Sequence, residues 1–382
     1  MKPIAFISTV VFFVFLSLPV FSFRSPVSCV RRLGVICHAR RKSSSEKCTI
    51  PDCLRFDHMY GADGTDYVWE IVRDDAEYEA SREPLLASFM HATILSHSSL
   101  EQALSFHIAN QLASPAMIAT QIQALMLEIY EKDDSLKDAL RKDLIAVVDR
   151  DPATKSFTDV ILYFKGFQAL QAYRISHYLW THERQTLALF LNSRVNSVYH
   201  MDIHPGSRLG IGILLDHGTG IVIGETAVVG NNVSMLHGVT LGGAGMKNVA
   251  RHPRVGNGEQ NVLLEMKLFS ILLAITSQLD FLHFVGVLIG AGATLLGNIT
   301  VGDGVNIGAR SMLVSDVPPH CVVVGVPARI VYRNALEGGY PSRFVRSSSM
   351  PPDPEIASIA INDTATESNR PGTSMVSANF EI

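Results

Sequence analysis

Aliphatic residues recur at every sixth position through the second half of the chain. One run is Ile203, Leu209, Leu215 and Ile221. A second is Ile223, Val229, Met235 and Leu241, and a third is Ile289, Leu295, Val301, Ile307 and Leu313. Gly stands directly behind many of them, at 210, 224, 230, 242, 290, 302 and 308. A helix repeats every 3.6 residues and a strand every two, so a period of six fits neither alone. It fits short strands separated by corners and wound into a stack of coils, a parallel β-helix. Each coil pairs its backbone with the coils above and below, and Gly relieves the corners. The period does not fix the handedness of the coil.

The second and third runs do not join. Residues 259–286 are apolar, lack corner glycines, and number 28, which is not a multiple of six. Removing them places Ile289 six positions after Val255 and restores the phase. Glu265, Lys267 and Asp280 make the segment too charged to span a bilayer. Two readings stand: a loop thrown out from one corner, which repeat folds tolerate, or a retained intron. Gly258-Glu259 and Val285-Gly286 can be coded with splice-like GTGAG and AG.

The first half follows another grammar. Leu104, Ile108 and Leu112 fall on one helical face, Met117–Tyr130 and Leu136–Val148 repeat that pattern, and Asp151-Pro152 breaks it. Val160–Trp180 and Leu187–Tyr199 read as two further helices. The expected organisation is a leader and linker over 1–65, an all-α oligomerisation domain over 66–200, a β-helix over 201–335 and a disordered tail over 336–382. The leader has no Asp or Glu before residue 46, an uncharged stretch from Ile4 to Phe23, and then Arg24, Arg31, Arg32, Arg40 and Arg41 among serines. Its first part has the form of a secretory h-region or an anchor, its second that of an organelle transit peptide. The expectation is a targeting segment, with the mature chain in the cytoplasm, plastid or mitochondrion and not in a membrane. A net charge of −4 provides no field for nucleic acid. Only Cys321 lies beyond residue 53, so no disulfide framework is expected.

Polar residues interrupt the coils in three places: Asp202-Ile203-His204, Asp216-His217 and Arg251-His252. Stacking brings distant positions to one corner. A His beside a carboxylate makes a general base, because the acid fixes the tautomer and stabilises the imidazolium. Arg offers a fork for a carboxylate, and a free Asp suits an ammonium. Together they suggest a zwitterionic amino-acid substrate with a hydroxyl to deprotonate. The alternative is a zinc site from His204, His217, His237 and His252, but His204 and His237 lack matching spacing, so no metal is expected.

At this point the chain resembles the serine acetyltransferases, particularly the plant type, from about residue 66 to 334. The resemblance rests on DRDPATKSF (149–157), YFKGFQALQAYRISHYLW (163–180), MDIHPGSRLGIGILLDHGTGIVIGETAVVG (201–230), VSMLHGVTLGG (233–243), RHPRVGNG (251–258) and GVPARIV (325–331). It implies an α+β chain: an N-terminal all-α domain, then a left-handed parallel β-helix of hexapeptide repeats, then a flexible C-terminal tail. It also implies β-helix trimers joined into hexamers through the helical domains. His217 would take the proton of the L-serine hydroxyl, which attacks acetyl-CoA directly, and Asp202 would hydrogen-bond His217. Asp151 and Asp216 would bind the ammonium, and Arg251 and His252 the carboxylate. Acetyl-CoA, the co-substrate, would lie between neighbouring β-helices near Gly243, Ala291 and Ala309. The terminal Ile382 would enter O-acetylserine sulfhydrylase.

Two departures stand out. Val249-Ala250 replaces the usual Gly-Asp before RHP, and residues 259–286 begin seven positions after His252. The competing functions are another hexapeptide acetyltransferase acting on sugars or antibiotics, and a non-catalytic scaffold or regulatory subunit that keeps only the tail.

Overall fold

Asp66 opens the helical half by capping its first helix: its carboxylate accepts from the backbone N–H of Val68 and Trp69 at 3.1 and 3.2 Å. A computed structural model describes residues 59–61, 63–245, 250–258 and 286–333. Most of the leader, residues 259–285 and the tail, with Ile382, lie outside the described residues, as does Val249. The helices are α1 (Tyr67–Arg82), α2 (Pro84–Met90, running into a π-helical turn His91–Leu95), α3 (Leu100–Leu112) and α4 (Ala119–Lys132). After these come α5 (Asp134–Arg150), α6 (Phe157–Tyr163), α7 (Lys165–Thr181) and α8 (Gln185–Tyr199). Their shared core includes Ile94, Leu104, Ile108, Met126 and Phe157, all essentially inaccessible. No helix among the described residues is long and apolar enough to cross a membrane.

The single helix expected over Val160–Trp180 is two, α6 and α7. Phe164 between them is extended, at φ −91° and ψ 92°. The cause is tertiary. Gly166 in the first turn of α7 lies so close to the β-helix that a Cβ there would stand 2.0 Å from the Leu215 carbonyl oxygen. Apolar periodicity runs through the break and gives no sign of it.

From Asp202 the chain winds into three sheets of short parallel strands. The first sheet stacks β1 (Asp202–Ile203), β4 (Val222–Ile223), β7 (Thr240–Gly242), β10 (Thr294–Leu296) and β13 (Met312–Leu313). The second stacks β2 (Arg208–Leu209), β5 (Val228–Val229), β8 (Arg254–Val255) and β11 (Thr300–Val301). The third stacks β3 (Leu214–Asp216), β6 (Ser234–Leu236), β9 (Leu288–Ile289), β12 (Asn306–Ile307) and β14 (Cys321–Gly325). An antiparallel strand, β15 (Ala328–Arg333), closes the third sheet. The six-residue aliphatics point inward: Ile203, Ile223, Leu241, Leu295 and Leu313 form one buried column, and Met235, Ile289 and Ile307 part of another. Each such side chain stabilises the stack by about 1.5–3 kcal/mol.

Strand register shows how the chain passes residues 259–285. Val229 pairs with Val255, and Met235 pairs with Ile289. Six positions separate the first members and 34 the second, so 28 residues leave and rejoin within one corner, between the second and third sheets. Gly258 and Gly286 meet there: a Cβ on Gly258 would come 2.9 Å from the Gly286 Cα.

Buried ionic bonds fasten the helices to the coils. Asp143 of α5, fully buried, accepts from Arg174 of α7 at 2.6 and 2.8 Å, from Gln171 at 2.9 Å and from the Ile213 N–H at 3.0 Å. Arg174 also donates to the Gly210 carbonyl at 2.8 Å, and the Tyr173 hydroxyl to the Ser207 carbonyl at 2.6 Å. Arg150, the last residue of α5, donates to the Gly212 carbonyl at 3.0 Å and to Asn232 at 3.2 Å.

Candidate active site

Two corners of the β-helix carry the polar side chains. The first lies between the third and first sheets. Here residues 217–221 join β3 to β4, whereas one coil higher residues 237–239 join β6 to β7. The lower turn has two residues more, and His217 sits in that excess. Its φ is 55°, and its side chain is 79% exposed, so the ring projects from the coil toward solvent. Its Nε2 is 3.8 Å from Asp216 Oδ1, and its ring meets the ring of His237 edge-on at 6.2 Å.

The helical half delivers the second carboxylate. Arg150 is anchored to the coil, and Asp151, the next residue, ends α5 in an extended conformation. Asp151 and Asp216 are near enough to repel. Burial pushes the Asp216 carboxyl above the ordinary carboxylate range; the imidazoles of His217 and His237 pull it down, and Asp151 pushes it up. Lys165, at the start of α7, contacts the Thr219 hydroxyl on the same turn. The corner thus gathers two carboxylates and two imidazoles, with the Lys165 ammonium on the same turn, an arrangement that can hold an ammonium group beside a base.

Asp202 lies at this corner one coil down, its N–H donating to the Ile221 carbonyl at 2.9 Å. It does not make the hydrogen bond to His217 expected of it. Among the described residues its carboxylate accepts from Asn192 of α8, at 3.1 Å. Asn192 lies in the middle of α8, which packs against β1.

The second corner, between the first and second sheets, carries Arg251 and His252. They belong to the long connection from β7 to β8. The expectation that stacking gathers them with His217 fails within one protomer. His217 follows a third-sheet strand and Arg251 a first-sheet strand, and each strand turns the chain through one side of the prism. His252 is buried, and its Nδ1 accepts from the Thr226 N–H at 3.2 Å. The Thr226 hydroxyl lies 2.8 Å from the same nitrogen and accepts from the Arg251 N–H at 3.1 Å, so its own proton is free for His252. Nδ1 is thereby the acceptor and Nε2 the N–H donor. Burial, then the Arg251 charge, holds His252 below the usual imidazole range and keeps it neutral. The ring lies across Gly224, where a Cβ would stand 2.0 Å from Nε2. Arg251 reaches Glu225 at 3.5 Å. Burial likewise lowers His204, beside Glu225 and Asp202.

The residues expected along the co-substrate also divide. Ala291 and Ala309 stack above the His217 corner, whereas Gly243 borders His252 at the other. Asn192, Arg150, Glu225 and Thr226 take part without having been singled out. Glu225-Thr226 is a polar pair directly behind Ile223-Gly224, a visible signal; Asn192 is one polar residue on a helix face and gives none. Among the described residues no three His, Cys, Asp or Glu side chains come together to hold a metal ion, and the four histidines divide between the two corners.

The family profile described as serine acetyltransferase, N-terminal, matches residues 68–172. Serine acetyltransferase 2 of Arabidopsis thaliana is 45% identical over 267 residues, which cover 70% of this chain and 74% of that one. The structure of soybean serine acetyltransferase complexed with serine superposes with a TM-score of 0.61 at 46% identity, covering 69% of this chain and 98% of that one. The Brucella abortus serine acetyltransferase in complex with coenzyme A gives a TM-score of 0.63 at 41% identity, over 72% and 99%. The chain belongs to the serine acetyltransferase family and is an acyltransferase.

Proposed function

We propose that this protein transfers the acetyl group of acetyl-CoA to the hydroxyl of L-serine, giving O-acetyl-L-serine, the first step from serine toward cysteine. The observation that carries the reading is the corner where an exposed imidazole, His217, stands 3.8 Å from the Asp216 carboxylate, with Asp151 of the helical half near enough to Asp216 to repel it. The serine complex of the soybean relative and the coenzyme A complex of the Brucella relative support the two substrates. Asp151 and Asp216 hold the ammonium, and His217 accepts the hydroxyl proton. The serine oxygen forms a bond to the thioester carbonyl carbon, giving a tetrahedral oxyanion. The C–S bond then breaks, and the thiolate takes the proton back from the imidazolium. No acyl-enzyme forms. Asp202 orients His217 once the ring turns inward over β1, releasing Asn192.

Arg251 and neutral His252 receive the serine carboxylate, His252 through its Nε2–H. Because they stand at a different corner from His217, the complete site forms where the His217 corner of one copy meets the Arg251 corner of the next. That requirement supports the trimer. A left-handed coil, pairing of trimers through the helical domains, and a groove for acetyl-CoA bounded by Ala291 and Ala309 of one copy and Gly243 of the next belong to the same reading. So do docking of Ile382 into O-acetylserine sulfhydrylase and a cytoplasmic, plastid or mitochondrial address after leader removal. The test is thiol release from acetyl-CoA with L-serine, with the ester identified by mass. Release that depends on L-serine is expected; release equal with sugar acceptors, or none, overturns it.

A further inference from the structure

The turns at the His217 corner form a ladder in which one rung differs from the rest. Gly220, Gly238, Gly292 and Arg310 occupy equivalent places in four successive coils. Each donates its N–H to the coil below, to the carbonyls of His200, Thr219, His237 and Ala291 at 2.7–2.9 Å. All four are left-handed, with φ of 76°, 72°, 68° and 57°. Glycine adopts that conformation without penalty, whereas a residue with a Cβ is strained in it. The top rung is nevertheless arginine. Its stem runs over Gly292, whose Cβ position would lie 3.4 Å from the Arg310 Cγ. The side chain is exposed, and among the described residues no carboxylate pairs with its guanidinium.

A cation placed at a strained backbone position, with no acidic partner, fits an anion that arrives from outside. Position identifies the anion. The 217–221 turn and the Arg310 turn are three coils apart, and coils rise by about 4.7–4.9 Å, so about 14 Å separates the base from the cation along the corner. The arm of an acyl-CoA, from thioester sulfur to first phosphate, has the length of about four residues of extended chain. At about 3.3–3.6 Å each it also spans about 14 Å. Between the two ends lie Ala291 and Ala309, small enough for the arm to pass.

We propose that Arg310 binds the pyrophosphate of the acetyl donor, so that a donor whose thioester reaches His217 is selected by the charge at its far end. The assignment rests on the acetyl-transfer reading above. Guanidinium suits the task because it offers a planar fork to phosphate oxygens.

The test compares three donors with L-serine as acceptor: acetyl-CoA, 3′-dephospho-acetyl-CoA and acetyl-pantetheine, which carries no phosphate. The variant is Arg310→Gly, which installs the residue the other three rungs use and so favours the fold. The ratio of kcat/KM for acetyl-CoA to that for acetyl-pantetheine is expected to fall about tenfold, the low end of what a hydrogen bond to a charged group supplies. Arg310→Lys should recover part of it. The fall should be equal with the dephospho donor, because the pyrophosphate remains. An unchanged ratio overturns the assignment, whether or not the assembly seen by sedimentation changes. A fall confined to the donor carrying the 3′-phosphate overturns the pyrophosphate as ligand. A parent protein that makes no serine ester from any donor removes the acetyl-transfer reading itself, a result distinct from an unchanged ratio in an active enzyme.

Discussion

Asp143→Asn tests whether the joint between helices and coils positions the active corner. Asp143 is fully buried and Arg174 nearly so, and the carboxylate takes two bonds from the guanidinium, one from Gln171 and one from the Ile213 N–H. The amide keeps the shape but removes the charge, leaving the Arg174 cation buried without its counterion. Breaking such a pair costs about 3–5 kcal/mol. Replacing both partners, as Asp143→Leu with Arg174→Met, removes the stranded charge. It also leaves the Ile213 N–H and the Gln171 amide without their acceptor and the Gly210 carbonyl without its donor, at about 1–3 kcal/mol each, so the double variant is not expected to recover the stability of the parent. The same helix carries Arg150 and Asp151, so loosening it should also raise KM for L-serine while sparing KM for acetyl-CoA. Urea unfolding followed by circular dichroism, with steady-state kinetics on both substrates, reads these effects. A single variant within 1 kcal/mol of the parent, or a double variant as stable as the parent, would refute the reasoning.

Asp216 links pH to both binding and stability. Its folded value lies above the unfolded one, so its contribution to stability is full at acid pH and is lost as pH rises through the folded value. Asp216→Asn should thus unfold at a higher temperature than the parent at neutral pH, yet raise KM for L-serine about tenfold or more. In the parent, KM for L-serine should rise as pH falls, with an inflection above the usual carboxylate value of about 3.9. Asp151→Asn, by removing a like charge, should move that inflection down; movement upward would contradict the placement of the two acids. Joining Gly258 to Val287 by deleting 259–286 should leave the far-ultraviolet spectrum of the coils unchanged, since the ends already meet. An unfolded product would contradict the register of β8 and β9.

Much of the architecture was legible because a β-helix writes its period directly into the sequence. More of the site was legible than the period alone suggests, since it lies where the period slips. The run ending at Ile221 restarts at Ile223, a slip of two residues, and that excess is the turn that carries His217. The run ending at Leu241 reaches Val255 after 14 residues, eight more than the period, and that excess carries Arg251 and His252. A third slip is residues 259–286. What periodicity could not convey was which slips share a corner, because that depends on the number of strands between them. Nor could it convey the break at Phe164, which a close approach of Gly166 to β3 imposes, or the hold of Asn192 on Asp202. Both are contacts between segments that do not signal each other in sequence.

The proposed acetyl transfer requires His217 as the base. Replacing it with alanine removes proton abstraction but leaves the carboxylates, Arg251 and the fold in place, so kcat should fall about 10²–10⁴-fold with little change in KM for either substrate. The most direct measurement is the kcat of purified His217→Ala with saturating L-serine and acetyl-CoA, with unfolding temperature matched to the parent. A fall of that size is the predicted result; a folded variant turning over within a few-fold of the parent contradicts it.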